Sequence, residues 1–258
     1  MDKQLLSIQA AVKKNRLARF RKYFASAALL NFKATPTAIS ECGKDIADLH
    51  QKSNFSTVVS FHYKDYFSFF LLAKNIPLTI YVFADAPVAT GYKKLSAILP
   101  SNIVFCAQLT RDIVRNLKNK SAIVFVMADI RISPLETHYV NIFGKIGLYT
   151  TAWADLCLKL NSDALFLLSQ GSGSHSIDMI PHHGFTALEM VENLFGKFEQ
   201  RVSTETFDWE NYPLHCGIND SLGLTHENSP NGIAKTLGGL LAWSHPLCNI
   251  VRELHENT

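Results

Sequence analysis

A histidine stands at the end of a short β-branched run, with a carboxylate three residues beyond it. Residues 56–60 and Phe61 precede His62, and Asp65 follows. A histidine at the carboxyl end of a strand lies at the edge where open α/β sheets carry out their chemistry. Because a carboxylate orients an imidazole and stabilises its charged form, the spacing predicts His62 as a general base with Asp65 as its partner. The alternative is a surface histidine beside a solvated aspartate.

A second pair of polar residues follows another apolar strand. Asp129 and Arg131 come directly after the run 122–127. The carboxyl ends of parallel strands share one edge of a sheet, so both side chains are expected to face His62 and to help orient a substrate. The guanidinium of Arg131 suits a two-pronged contact with a phosphate or a carboxylate. The alternatives are a turn or cap residue for Asp129 and a rim arginine for Arg131.

The elements that position these residues alternate along the chain. Apolar runs predict strands, and segments of helical length separate them. The predicted strands are 55–61, 78–83, 103–106, 122–127, 138–143 and 164–169. The predicted helices are 37–53, 65–74, 92–99, 112–118, 148–160, 186–201 and 247–254, and residues 171–174 are predicted as a flexible crossover. This order is typical of βαβ units, so the sequence predicts an α/β fold with a mostly parallel central sheet flanked by helices.

The first 36 residues differ in character from the rest. Leucine, isoleucine and valine at positions 5, 8 and 12 keep the spacing of one helical face, and lysines and arginines surround them. A basic amphipathic helix binds an anionic bilayer or an acidic partner such as an acyl carrier protein. The alternative is a solvated helix that covers the domain. We therefore expect an arm over residues 1–36 and a single α/β domain over residues 37–258.

Composition excludes several classes of function. The net charge is only +3 and no basic–aromatic interleaving occurs beyond the arm, so nucleic-acid binding is not predicted. No apolar run approaches the ~20 residues of a membrane span.

The five dispersed cysteines indicate reduced thiols and a cytoplasmic compartment. His182 and His183 are adjacent, so their side chains diverge and no third ligand lies at standard spacing; neither a metal nor a cofactor is predicted.

The block from 109 to 169 resembles the core of the bacterial lipid A (late) acyltransferases, which belong to the lysophospholipid-acyltransferase-like superfamily. The resemblance rests on a helix, an apolar strand and an aspartate at 112–129, a strand ending in Phe143 and Gly144, and a Thr-rich helix with its following strand at 149–165. His62 stands where that family has its catalytic histidine. The resemblance implies an acyltransferase-like fold, with Phe143 and Gly144 in the substrate-binding region.

The same resemblance implies transfer of an acyl group from a carrier-protein or coenzyme A thioester to a hydroxyl or amine. His62 would deprotonate the acceptor, and backbone N–H groups would stabilise the oxyanion. Transfer is expected to be direct, because no cysteine or serine stands convincingly beside His62. The implied location is the cytoplasm, peripheral to the inner face of a bacterial inner membrane.

The chain departs from the family at the acid. That family has Asp or Glu after four intervening residues, where this sequence has Phe67. We expect Asp65 to substitute for it. Two alternatives remain open: an aminoacyl or related transferase that uses a carrier-bound donor on the same scaffold, and a non-catalytic relative that binds a lipid or a carrier protein.

Overall fold

The computed structural model describes residues 37–64, 66–83, 99–106, 108–129, 137–171, 174–202 and 209. Its strands are β1 (Phe55–Ser60), β2 (Thr79–Phe83), β3 (Ile103–Cys106), β4 (Ala122–Met127), β5 (Thr137–Ile142), β6 (Lys145–Thr150), β7 (Asp163–Gly171) and β8 (Ser174–Ile180). Its α-helices are α1 (Thr37–Lys52), α2 (Phe69–Leu72), α3 (Arg111–Lys118), α4 (Ala152–Leu160) and α5 (Ala187–Val202). Short 3-10 turns at Tyr66–Ser68 and Ala73–Asn75 flank α2.

Six strands form the central sheet in the order β3-β2-β4-β1-β7-β8. The pairs from β3 to β7 are parallel, and only β8 runs antiparallel to its neighbour β7. Strands β5 and β6 form a separate two-stranded hairpin. The predicted α/β fold with a mostly parallel sheet flanked by helices is therefore confirmed.

The chain leaves the two central strands, β1 and β4, in opposite directions along the sheet. From β1 the chain continues to β2, beyond β4, whereas from β4 it continues through the hairpin and α4 to β7, beyond β1. Right-handed crossovers of opposite direction lie on opposite faces of a sheet. The ends of β1 and β4 therefore form a topological switch point, which is where open α/β sheets bind their ligands.

Successive side chains of each strand point to opposite faces of the sheet, and helices cover both faces. On one face α1 and α2 pack against Val58 and Phe125, and on the other face α4 and α5 pack against Val59 and Phe166. Helix α3 covers Val124 on the same side as α4. Strand β1 is buried along its whole length and combines Phe55, Val58 and Val59 with small hydroxyl side chains, of which Ser56 is hydrogen-bonded to Ser162 at 2.6 Å.

The predicted start of the helix over 148–160 was wrong. Lys145–Thr150 is strand β6, which pairs antiparallel with β5 through a two-residue turn. The turn residues Phe143 and Gly144 both have positive φ, 53° and 70°, as a tight hairpin turn requires. Helix α4 begins only at Ala152, after the β-favouring residues Tyr149 and Thr150.

The crossover predicted at 171–174 was also wrong. Strand β7 extends to Gly171 and pairs with β8 in a hairpin at one edge of the sheet. Strand β8 has alternating polar and apolar residues, as a half-exposed antiparallel strand does. Ile177 and Met179 pack into the core beneath α1, while Ser176 and Asp178 accept hydrogen bonds from Arg201 of α5.

Some predictions fall outside the described residues. These are the basic arm over 1–36, the helix at 247–254 and, apart from Leu99, the helix at 92–99. Across the parts that the structure describes, no helix combines the length and the apolar character needed to cross a bilayer.

Two glycines in helices of equal length give opposite predictions. A Cβ at Gly43 would lie 2.8 Å from the Leu72 carbonyl oxygen and 2.9 Å from the Asn75 Cβ, whereas a Cβ at Gly196 meets nothing within 4 Å. We expect Gly43→Ala to destabilise by about 1–3 kcal/mol through overpacking. Gly196→Ala should stabilise by about 0.5–1 kcal/mol through helix propensity. Urea unfolding midpoints measure both, and equal shifts of one sign would contradict the close packing of α1 on residues 72–75.

Stability should also depend on His50. Burial, followed by the charge of Lys120, lowers the pKa of this histidine, whose ring packs edge-on at 5.2 Å from Phe55. Since the unfolded chain binds the proton more readily, the stability is present above the unfolded pKa of about 6.5 and is lost as the pH falls towards the folded value. The loss of stability between pH 7 and pH 5 should therefore be smaller in His50→Gln than in the parent. The free energy of unfolding at both pH values measures this difference. The exposed His183 supplies the control, and an equal reduction in His183→Gln would contradict the assignment.

Candidate functional site

His62 and Asp129 meet at the switch point. Ser60 and Met127 are paired in register at the ends of β1 and β4, and His62 and Asp129 each lie two positions beyond their strand. The Ala128 N–H donates to the Ser60 carbonyl at 2.8 Å, which extends the pairing by one step. The register therefore carries His62 and Asp129 to the same point on the carboxyl edge of the sheet.

The imidazole and the carboxylate are in direct contact. His62 Nδ1 lies 2.8 Å from Asp129 Oδ1, and the His62 backbone N–H donates to Oδ2 at 3.1 Å. The contact orients the ring, because Nδ1 donates its proton to the carboxylate and the basic lone pair is then on Nε2. Both residues are buried, His62 at 5% exposure and Asp129 at 2%.

A third donor reaches the carboxylate from Trp209. Its indole Nε1–H donates to Asp129 Oδ2 at 2.6 Å. Asp129 thus accepts hydrogen bonds from the His62 ring, the His62 backbone and the Trp209 indole. A carboxylate with several donors is stabilised in its ionised form, since an ionised carboxylate only accepts hydrogen bonds.

The backbone around His62 is tightly turned. The Tyr63 N–H donates to the Phe61 carbonyl at 2.7 Å, which places His62 at the centre of a three-residue turn. Lys64 follows with a positive φ of 46°, an uncommon conformation for a residue with a side chain. Its ammonium donates to the Gln170 carbonyl at 3.5 Å and lies 5.3 Å from the centre of the Tyr63 ring. The turn is thereby tied to the end of β7.

Tyr66 packs against His62, and a histidine of β8 holds the turn that carries Tyr66. The Tyr66 ring packs edge-on against His62, with ring centres 4.8 Å apart. In the same 3-10 turn, Ser68 Oγ lies 2.6 Å from His175 Nε2, so the start of β8 holds the segment that presents Tyr66. Aromatic packing of this kind fixes the plane of an imidazole.

The structure brings together some of the predicted site residues. His62 and Asp129 are in contact, whereas Asp65 and Arg131 lie outside the described residues. Phe143 packs against Trp209 with ring centres 6.1 Å apart, so it reaches the carboxylate through the indole. Gly144 is exposed at the tip of the hairpin. The substrate-binding roles of Phe143, Gly144 and Arg131 stay predictions.

Sequence reasoning placed Asp129 at the same edge as His62 but missed the contact between them, and it did not connect Trp209 with the site. The equal distance of both residues from their strand ends emerged only in the structure, because the first strand was predicted to extend to residue 61 and ends at Ser60. The contact also requires that β1 and β4 be neighbours, which the chain order does not provide. Trp209 lies 80 residues from its carboxylate, and the sequence around it does not indicate a contact with Asp129.

A second histidine–aspartate pair provides an internal comparison. His182 Nδ1 lies 2.6 Å from Asp163 Oδ1, the His182 backbone N–H donates to the same oxygen at 2.9 Å, and Nε2 lies 3.0 Å from Asn161 Oδ1. This pair stands at the amino end of β7, with side-chain exposures of 17% and 28% against 7% and 0% for His62 and Asp129. In the described parts of the chain, no group of three potential ligands surrounds it or any other site. Its place at the amino edge indicates a structural role.

The described cysteines do not supply a thiolate. Burial raises the pKa of Cys42 to about 12 and those of Cys106 and Cys157 to about 11. These thiols remain protonated at neutral pH, and a nucleophilic cysteine requires the opposite shift. Among the described residues, the candidate site at the carboxyl edge of the sheet therefore rests on the His62–Asp129 pair and not on a cysteine.

The comparisons do not extend this description to a family. The sequence matches no protein-family model and is similar to no curated protein. The resemblance to the lipid A acyltransferases therefore stays a prediction, and any assignment of function must be argued from the His62–Asp129 geometry.

Proposed function

We propose that this protein is an acyltransferase that uses His62 as a general base. It moves an acyl group from a carrier-protein or coenzyme A thioester to a hydroxyl or an amine. The observation that carries the proposal is the 2.8 Å contact between His62 Nδ1 and the buried Asp129 carboxylate at the switch point of the sheet. Such a pair is the base that acyl transfer to a weakly acidic acceptor requires.

The chemical step follows from this geometry. Nε2 of His62 takes the proton of the acceptor as the acceptor's oxygen or nitrogen attacks the thioester carbonyl. The C–S bond then breaks, and the leaving thiolate takes the proton from the imidazolium. The products are an ester or amide and a free thiol, and His62 returns to its starting state. A positioned base of this kind contributes roughly 10²–10⁴-fold to the rate.

Asp129 has two effects on this step. Its contact with Nδ1 holds the tautomer that leaves Nε2 basic, and its negative charge stabilises the imidazolium that forms. The second effect is large in a buried site, where charges interact more strongly than in water. The carboxylate is thus assigned to orienting the imidazole, in addition to the substrate contact predicted from the sequence.

The remaining parts of the proposal concern the substrate and the location. Both proposed donors carry phosphate groups, which Arg131 would bind through its guanidinium. The basic arm over 1–36 would contact an acidic carrier protein or the anionic cytoplasmic face of a bacterial inner membrane. The acceptor would then be a lipid or a related molecule of lipid biosynthesis.

One observation favours a second candidate. The His62 side chain is only 7% exposed, and a buried histidine bonded to aspartate also occurs as a purely structural element. A non-catalytic relative that binds a lipid or a carrier protein would retain such a pair without turning over a thioester. Measuring turnover separates the two candidates.

The test is a donor panel with matched variants. Purified protein is incubated with acyl-coenzyme A, acyl-carrier and aminoacyl-carrier thioesters, and free thiol and product mass are measured. We expect thiol release with an acyl donor, and a decrease of about 10²–10⁴-fold in His62→Ala and in Asp129→Asn. His182→Ala and Asp163→Asn, from the pair at the amino edge, should retain the parent rate. Release from the aminoacyl donor alone would establish the aminoacyl alternative, and no release from any donor would favour the binding protein.

Asp65 is tested in the same assay. If Asp129 is the partner of the imidazole, Asp65→Asn should keep the rate within about threefold, because the Nδ1 contact and its charge are unchanged. Asp129→Asn loses the negative charge with almost no change in shape. A large loss in Asp65→Asn beside a small one in Asp129→Asn would return the partnership to Asp65, as the sequence predicted.

A further inference from the structure

We propose that Trp209, which lies beyond α5 in the sequence, is a positioning residue for the reaction and completes the active site. This inference rests on the proposed role of His62 and Asp129. Trp209 acts through Asp129: its indole N–H holds the carboxylate in the orientation that presents one oxygen to the imidazole.

The hydrogen bonds divide the carboxylate into two halves with different tasks. Oδ2 accepts from the Trp209 indole at 2.6 Å and from the His62 backbone at 3.1 Å. Oδ1 lies 2.8 Å from the ring nitrogen of His62. With Oδ2 held from two directions, rotation about the Cβ–Cγ bond of Asp129 is restricted and Oδ1 is directed at the ring. If the indole is removed, one of these two donors to Oδ2 is left, the His62 backbone N–H.

Trp209 is itself held rigidly. It is fully buried at 0% exposure and pairs as an antiparallel β-bridge with Tyr63, the residue after His62. Its ring packs 5.3 Å from Phe198 of α5 and 6.1 Å from Phe143 of the hairpin. Its backbone therefore contacts the turn that carries the base, while its side chain contacts the carboxylate. Such support of reacting groups by packed neighbours is what a catalytic geometry requires.

The matched control is Trp153. This residue is also buried, at 3% exposure, and belongs to the same hydrophobic cluster as Trp209. Its indole nitrogen has no hydrogen-bond partner in the described structure. Trp153→Phe therefore measures what truncation of a buried indole does to packing, while Trp209→Phe removes in addition the donor to Asp129.

The first readout is kinetic. We expect Trp209→Phe to lower kcat about 10–100-fold, the range for a hydrogen bond to a buried charge, with KM changed less than about threefold. Trp153→Phe should keep the parent kcat. In the Asp129→Asn background, Trp209→Phe should add little further loss, because residues that act through one another are not additive. Equal kcat values for Trp209→Phe and Trp153→Phe, or a full additional loss in the Asp129→Asn background, would overturn the proposal.

The second readout does not require turnover. The Nδ1 proton shared by His62 and Asp129 should give a downfield proton resonance, absent in His62→Ala, and the pair of His182 and Asp163 provides a reference resonance. We expect the His62 resonance to shift or broaden in Trp209→Phe and to remain in Trp153→Phe. A parent without turnover would refute the acyltransferase function alone. A His62 resonance that is identical in the two tryptophan variants would refute the role of Trp209.

Discussion

A carboxylate that is almost without solvent contact must be surrounded by donors, since a buried unpaired charge is destabilising by several kcal/mol. Asp129 meets this requirement with groups from two distant segments, the turn after β1 and Trp209. The geometry of His62, the tight turn at Phe61–Tyr63 and the position of the indole all serve this one charge. The hydrogen bonds that stabilise the buried carboxylate also direct it at the imidazole. One arrangement therefore meets the structural requirement and supports the proposed chemistry.

The order of the sheet makes this arrangement possible. Strands β1 and β4 are neighbours although two other strands lie between them in the sequence, and their paired ends bring His62 and Asp129 together. Because the chain leaves these strands in opposite directions, their ends form the switch point at which open α/β sheets bind ligands. The pair of His182 and Asp163 shows the contrast. It has nearly the same local geometry but lies at the amino edge, where it joins the ends of secondary-structure elements.

Local pattern predicted the interior of the fold well. The bounds of β3 and β4 agree with the sequence prediction, because each is a short run of consecutive apolar residues. Helix α1 agrees within one residue, because its apolar residues keep the helical spacing. The errors lie at β6 and β8, two strands outside the parallel core. Their mixed polar sequences depend on hairpin partners for their conformation. His62 was recognised from its position after a strand, whereas its contact with Asp129 required the strand order, and the contribution of Trp209 required a contact across 80 residues.

The late position of Trp209 in the chain has a consequence for biosynthesis. All described strands of the sheet precede it, so these strands are synthesised before the indole that donates to Asp129. Domains begin to fold during translation from their N-terminal side. The hydrogen bond from the indole to Asp129 can therefore form only after translation has passed position 209, when the strands that precede His62 and Asp129 have already been made.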